Sequence, residues 1–598
     1  MPRIRILKYI TLGLLGIIAV RLFFIQIIEH DAWVAKASEQ HTMLETITAK
    51  RGEIYMMDHG EPVAVVMNQT TYQVIIDPAI TPRDKLQSTL DKYAKDYITA
   101  NLDEVYAIEG LRYYVVARNV PYSAATKIAA EGLSSVWLKE GNSRVYPEGE
   151  MASTVLGFVN ADGLGQYGVE GSLNHILTGK DGLLRTISDV NNVALSIGDD
   201  NVKIPAEDGQ SVVLSIDRGL EKGTEERIAA ALEHSEATNA AVLIMNPNTG
   251  EVVAMTALPN YDPAHYGNVK DASAYINQVT EVPYEPASIC KNFAYSAAIN
   301  EGKMTPDTTY FNEHYVYVDG WKIDNAQMNS FLYGEIDMRT ALYWSLNSGS
   351  IQALKFLGDD PANINQKGRE LLFDYYYNKF QLGHNTGIEL IEAEGFIPDP
   401  NEGWGRDSTY ANMTFGQNLG ITMVQTARAF SAVVNGGYLY TPTVVKGVLK
   451  DGEIVALDTA PTGDAAWGTP TSARVGEDAA AGPVGERILT EQTSATMRSM
   501  LINNRDYKVR AGIDRSGYAV GGKSGTAQVV RGGAYDDTFA ELVGSYMGFV
   551  GPAGELPRYV VMVKMWGEGK SVGSGDAMDL FDSLQNYLID YYKIKPNL

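Results

Sequence analysis

The 598-residue chain predicts a mixed α/β (α+β) protein: a transmembrane helix, a β-rich membrane-proximal domain and a larger domain alternating strands with helices. Three observations predict this. An apolar run occupies residues 9–28. Short Val- and Thr-rich runs broken by turns follow, up to Pro205. From Gln210 onward, strand patterns and amphipathic helix patterns succeed one another. A chain of this length exceeds one ordinary core, so several domains are expected.

The first element is the membrane helix. Arg3, Arg5 and Lys8 precede the run Tyr9–Val20, which resumes at Leu22 and continues to Ile28. As one helix it spans about 30 Å, enough for the hydrocarbon core of a bilayer. Arg21 and Gln26 interrupt it; a long arginine can snorkel, or face a partner helix inside the bilayer. Basic residues before the span, with Glu29 and Asp31 after it, place residues 1–8 in the cytoplasm and the bulk of the chain outside. A cleaved signal peptide is the alternative, with Ala35-Lys-Ala37 as its cleavage site. That site lies too far from the Tyr9–Val20 core, behind several charged residues. A single-pass cell-membrane protein is expected.

Residues 29–209 form the next expected domain. Ala49-Lys-Arg-Gly-Glu-Ile54 leads into a strand-like stretch from Pro62 to Ile76, followed by helical patterns at Arg83–Thr99 and Ser123–Glu131. Gly165-Gln-Tyr-Gly-Val-Glu-Gly171 opens a helix to Leu177. No catalytic constellation stands out here, so a pedestal or docking module is expected. Residues 210–598 form the larger domain. It opens with a strand at Ser211–Ser215, a helix at Arg218–His234, a buried strand at Ala240–Met245 and a returning strand at Glu251–Ala257. Residues 460–484, rich in Ala, Gly, Pro and Thr, are expected as a surface insertion.

Composition bounds the function. Apolar residues make up 45% and charged residues 20%, the balance of a globular protein. A net charge of −24 argues against nucleic acid as a partner. One cysteine, Cys290, rules out an intrachain disulfide, and no Cys/His cluster has metal-site spacing.

Three clusters carry chemistry. Ser288-Ile-Cys-Lys291 places a serine and a lysine one helical turn apart, with Pro286 suited to a helix start. A serine at a helix N-terminus also sits in the positive end of the macrodipole, which favours an oxyanion. Ser345-Leu-Asn347 follows the helical pattern Met338–Trp344. Lys523-Ser524-Gly525-Thr526 sits between Gly521-Gly522 and Ala527-Gln528 in a strand pattern, where glycines suggest close backbone approach to a ligand. Each cluster alone has a bland explanation: a solvated helix face, a helix-to-loop turn, a bulged strand edge. Together, in this order and within one domain, they are specific.

The trio resembles the signature of penicillin-recognising serine acyltransferases, and more narrowly of class B penicillin-binding proteins, the peptidoglycan D,D-transpeptidases. Further segments are similar to that family: Arg21-Leu-Phe-Phe-Ile-Gln26, Arg51-Gly-Glu-Ile54, Tyr146-Pro147, Leu156-Gly-Phe-Val-Asn160, Gly168-Val-Glu-Gly171, Phe415-Gly-Gln-Asn-Leu-Gly-Ile-Thr422 and Asn435-Gly-Gly437. Thr386-Gly-Ile-Glu389 leans towards the septal, cell-division branch. The resemblance implies a pedestal domain and a penicillin-binding transpeptidase domain with a central antiparallel sheet flanked by helices. It implies that Ser288 attacks the carbonyl between the last two D-alanines of a stem peptide and forms an acyl-enzyme. Lys291 would take the serine proton, provided that burial or nearby positive charge such as Lys523 depresses its pKa. Ser345 would shuttle the proton to the leaving amine, and Asn347 would hold Lys291 and the substrate backbone. Lys523, with the hydroxyls of Ser524 and Thr526, would bind the terminal carboxylate. The N–H groups of Ser288 and Thr526 would form the oxyanion hole.

The implied partners are peptidoglycan stem peptides ending in D-Ala-D-Ala, β-lactam antibiotics, the membrane, and a polytopic glycosyltransferase with other division proteins. No cofactor or metal is implied. Ser524 stands where the family more often has threonine, Cys290 where it usually has a phenylalanine or threonine, and Asn418 where it often has glycine. Two alternatives compete. A serine β-lactamase would need a deacylating carboxylate that is not evident. A catalytically idle β-lactam-binding scaffold or sensor would be expected to lose a motif residue or to gain further membrane spans.

Overall fold

The computed structural model describes residues 2–33, 42–187, 202–326, 329–457, 485–507, 514–531, 534–535 and 541–597. Their contacts divide the chain into two compact units, Met1–Gly52 with Thr178–Gln210, and Glu53–Leu177 with Ser211–Leu598.

The first unit begins with an α-helix, Pro2–Phe23, continued by a π-turn at Phe24–Ile28. Proline at its first position lacks only an N–H that would have had no partner there. Ile4–Ile28 is long and apolar enough to cross a membrane, and none of it is buried against protein. The helix starts earlier than residue 9 because Ile4, Ile6 and Leu7 extend the apolar pattern around Arg5 and Lys8. Strand Thr42–Ile47 pairs antiparallel with Gly182–Ile187, which pairs with Val202–Ile204. Ala35-Lys-Ala37 lies outside the described residues.

In the second unit, one sheet joins segments far apart in the chain. Strand Ser211–Asp217 lies between Val445–Lys450 and Ile54–Asp58, and Ile54–Asp58 pairs onward with the long strand Glu61–Ile76. Both backbone groups of Glu53 are bonded at this seam: its N–H donates to the Ser211 side-chain Oγ at 3.0 Å, and its carbonyl accepts from Val212 N at 2.9 Å. A boundary between residues 209 and 210 therefore separates these strands along the chain but not in space. The helical pattern from Arg83 to Thr99 ends early, at Tyr93, and a 3-10 turn follows at Lys95–Tyr97. The helix expected up to Leu177 is two short pieces, Gly168–Ser172 and Asn174–Leu177. Its Glu170 is fully buried and ion-paired with Arg144 at 2.8 Å, so this acidic residue is a structural tie.

The central sheet of the larger domain is antiparallel throughout, in the order Val252–Leu258, Asn239–Met245, Tyr559–Trp566, Leu542–Pro552, Tyr518–Gln528. Both faces are covered. Val242, Ile244, Val561 and Val563 pack under helices Arg218–Glu233 and Ser574–Tyr591. The alternate residues Leu243, Met245, Met547 and Met562 pack with Phe293 and Phe430, from helices Lys291–Asn300 and Met423–Val434. Burial on both faces explains why the strand pattern 240–245 is continuously apolar. The expected insertion at 460–484 lies outside the described residues.

Candidate active site

The Ser288 segment folds differently from the single helix expected. Ala287–Cys290 is a 3-10 turn, and the α-helix begins only at Lys291. The reason is the backbone before the serine. Ala287 has φ +50°, a left-handed conformation that disfavours continuing an α-helix from Pro286. It is held there because Ala287 N donates to Gly416 O at 3.3 Å, and Gly416, itself at φ +83°, lies so close that a Cβ would collide with the Ala287 backbone. Ser288 is half-buried at the end of this turn.

Lys291 is buried, at 1% exposure. Its ammonium donates to Ser345 O at 2.5 Å, to Asn347 Oδ1 at 2.9 Å and to Ser345 Oγ at 3.2 Å. Ser345 sits in the short connection between helices Met338–Tyr343 and Asn347–Leu357, in the left-handed region at φ +55°. Leu346 N, donating to Ala341 O at 2.9 Å, closes that turn. Asn347 opens the second helix, and its Nδ2 donates to Asp324 O at 2.9 Å, which fixes which end of the amide meets Lys291.

The third cluster arrives on the edge strand Tyr518–Gln528. Lys523, with 0% exposure, donates to Ser345 Oγ at 2.8 Å and to Ser524 O at 2.9 Å. Its ammonium thus meets the Ser345 hydroxyl inside the wall of the site. Gly525 lets the strand close on the serine turn, for a Cβ there would sit 2.6 Å from Pro286 O. Gly521 and Gly522 approach Phe549 and Tyr546 in the same way. These glycines make room for protein, where the sequence suggested room for a ligand. Helix Glu491–Tyr507 braces the strand from behind: Asn504 Nδ2 donates to Gly522 O at 2.7 Å.

Ser288, Ser345, Asn347, Ser524 and Thr526 line one cleft of about 1550 Å³, while Lys291, Lys523 and Gly525 stand behind its wall. The sequence had not pointed to the aromatic rim of this cleft. Trp321, 73% exposed, comes from the hairpin Tyr315–Val318/Trp321–Asp324, and Trp404, 74% exposed, from a loop. The signal was present: Asp319-Gly320 between two aliphatic-aromatic runs is a two-residue hairpin turn, and both residues adopt positive φ. Asn418 takes φ +60°, a conformation asparagine tolerates better than most residues, so it serves where glycine is common. Its N–H donates to Glu285 Oε1 at 2.8 Å, which ties the loop to the segment before Ser288. Cys290 is fully buried, and burial pushes its thiol well above the ordinary range.

This arrangement can perform acyl transfer. A serine hydroxyl borders a cleft, a lysine three residues further on is buried, and a second hydroxyl meets both that lysine and another. Comparison with known proteins agrees with it. The family model described as penicillin binding protein transpeptidase domain matches residues 240–584, more than half the chain. The model described as penicillin-binding protein dimerisation domain matches residues 46–214. Penicillin-binding protein PbpB of Mycolicibacterium smegmatis is 26% identical, over 98% of this chain and 89% of its own length. Stage V sporulation protein D of Bacillus subtilis is 27% identical, over 92% of this chain and 79% of its own. The crystal structure of penicillin binding protein 2X from Streptococcus thermophilus shares the fold, with TM-score 0.68 and 22% identity, covering 92% of this chain and 80% of that one. The chain belongs to the penicillin-binding protein transpeptidase family, as a class B member with a dimerisation domain before its transpeptidase domain.

Proposed function

We propose that this chain is a membrane-anchored peptidoglycan D,D-transpeptidase that cross-links stem peptides through a Ser288 acyl-enzyme. The observation that carries the proposal is the Ser345 hydroxyl held between the Nζ atoms of Lys291 and Lys523, at 3.2 and 2.8 Å, on the wall of the Ser288 cleft. Relatives named peptidoglycan D,D-transpeptidase, including FtsI of Buchnera aphidicola at 25% identity, support the reaction class.

The chemistry follows from the groups present. Lys291 in its neutral form accepts the Ser288 proton as Oγ bonds to the carbonyl carbon of the penultimate D-alanine. The carbonyl π-electrons move to oxygen, and the N–H groups of Ser288 and Thr526 receive the oxyanion. As the oxyanion collapses, the C–N bond breaks, and the terminal D-alanine leaves with a proton relayed from Lys291 through Ser345. With its two lone pairs facing the two lysines, the Ser345 hydroxyl has its own proton free to pass on. Asn347 holds Lys291 in register. The leaving residue's carboxylate is met by Ser524 and Thr526, with Lys523 supplying charge behind them. A neighbouring stem-peptide amine then attacks the ester and releases Ser288, which forms the cross-link.

β-Lactams acylate the same serine. The N-terminal helix holds the enzyme in the cell membrane, with its catalytic domain outside. Arg21, exposed on that helix, suits a contact with a polytopic partner such as a glycosyltransferase. Thr386-Gly-Ile-Glu389 supports a role at the division septum; within the fold, Glu389 accepts from Thr443 Oγ1 at 2.7 Å and Val444 N at 3.0 Å. The test is labelling with a fluorescent penicillin: the wild type becomes labelled and Ser288→Ala does not. Labelling of the variant would overturn the assignment.

A further inference from the structure

Gly525, Ser545, Lys564 and Ala241 form one row across the central sheet, each directly opposite the next. Opposed residues of antiparallel strands turn their side chains to one face. Here that face lies under the Ser288 turn, since a Cβ on Gly525 would come 2.6 Å from Pro286 O and 2.7 Å from Ser545 Oγ. The Ser545 hydroxyl donates to Gly525 O at 3.3 Å. Gly525 C=O and Thr526 N–H belong to one trans peptide and point opposite ways. Ser545 therefore grips the inner end of the peptide unit whose outer end is the oxyanion donor.

Lys564 brings a charge to this row. It is 4% exposed, and its Nζ lies 4.7 Å from the centre of the Tyr284 ring and 4.4 Å from that of Trp566. Ring faces stabilise a desolvated ammonium. Burial lowers its pKa to about 8. Among the described residues, the ionisable groups around this face are few. Tyr284 above it and Cys290 beyond are both held neutral by burial. Glu285 is turned to Asn418 N, and Lys523 to Ser345. In so dry a place a charge acts strongly on nearby dipoles.

We infer that Lys564 is a positioning residue: its charge, carried on the strand residue directly opposite Ser545, polarises the Gly525–Thr526 peptide and strengthens the Thr526 N–H as a donor to the oxyanion. The inference rests on the acyl-transfer function proposed above. Lys564 touches neither substrate nor nucleophile. A cation at the carbonyl end draws electron density towards that oxygen, which leaves the N–H more positive. Hydrogen-bonded dipoles in series reinforce one another in the same sense.

The test uses the full chain in detergent, with Lys564→Met and Ser545→Ala, acylated by a penicillin. Two quantities are read: the acylation rate between about pH 6 and pH 10, and the infrared stretch of the acyl-enzyme carbonyl. Lys564→Met should acylate about tenfold more slowly near neutrality, less than the roughly hundredfold loss of an entire donor. Its ester carbonyl band should move to higher wavenumber. The wild-type rate should fall as Lys564 loses its proton near pH 8, and this limb should vanish in the variant. Ser545→Ala should shift the band in the same direction, and it carries the test if Lys564→Met does not fold. An unmoved carbonyl band in a folded variant would overturn the inference, as would an unchanged pH limb in Lys564→Met. Penicillin labelling of Ser288→Ala would instead overturn the acyl-transfer function, so the two failures are distinguishable.

Discussion

Lys523 Nζ donates to Ser345 Oγ at 2.8 Å, joining the edge strand of the central sheet to the turn between two helices on the other side of the cleft. The same hydroxyl accepts from Lys291 at 3.2 Å, so one oxygen links both lysines. Removing it with Ser345→Ala should slow acylation by a penicillin about a hundredfold or more, the usual scale of a lost proton-transfer group. The fold should persist, because only a half-buried hydroxyl is deleted. Stopped-flow acylation together with the melting temperature checks this; an unchanged rate would remove Ser345 from the proton path.

Gly525→Ala should be more damaging to activity than its size suggests. The new methyl would stand 2.6 Å from Pro286 O and 2.7 Å from Ser545 Oγ, and backbone cannot give way cheaply. The edge strand would move off the Ser288 turn and misplace the Thr526 N–H. Acylation should fall by at least about a hundredfold, as when an oxyanion donor is lost. A crystal structure of the variant should show the strand displaced from the turn.

Cys290 should be inert in the folded protein. It is fully buried, and its thiol is pushed up by burial first and by Glu285 second, so little thiolate forms at neutral pH. A thiol reagent should react with it only after denaturation. Fast reaction of the native protein, with loss of penicillin binding, would contradict this.

Much of this was legible in the sequence, for identifiable reasons. Period-2 and period-3.6 patterns are local, so the strand Asn239–Met245 and the helix Arg218–Glu233 lie within a residue of their expected limits. The order of the three motifs also survives in a linear chain. What could not be read is non-local. The left-handed Ala287 depends on Gly416, more than a hundred residues away, and it converts the expected helix start into a 3-10 turn. The parallel pairing of Ile54–Asp58 with Ser211–Asp217 joins segments that a linear boundary separates. Lys564 looks like an ordinary strand lysine until its neighbours in the sheet are known.

Glu221 gives the stability a pH dependence. Its carboxylate is fully buried between Met255 N, at 2.9 Å, and Thr256 Oγ1, at 2.7 Å, and burial raises its pKa from 4.5 to about 7. The folded state therefore keeps a proton that the unfolded chain releases, so stability falls as pH rises across the window from 4.5 to about 7. The loss is on the order of 3 kcal/mol, at roughly 1.4 kcal/mol for each pH unit. Glu221→Gln should flatten the decline in melting temperature across that window. A decline as steep in the variant as in the wild type would assign it to other groups.

The most direct measurement is mass spectrometry of the full chain after exposure to a penicillin, followed by peptide mapping. Acyl transfer through Ser288 predicts one added penicillin mass, located on Ser288 within the peptide that contains Cys290 and Lys291. An adduct on any other residue, or no adduct on a folded protein, would contradict it.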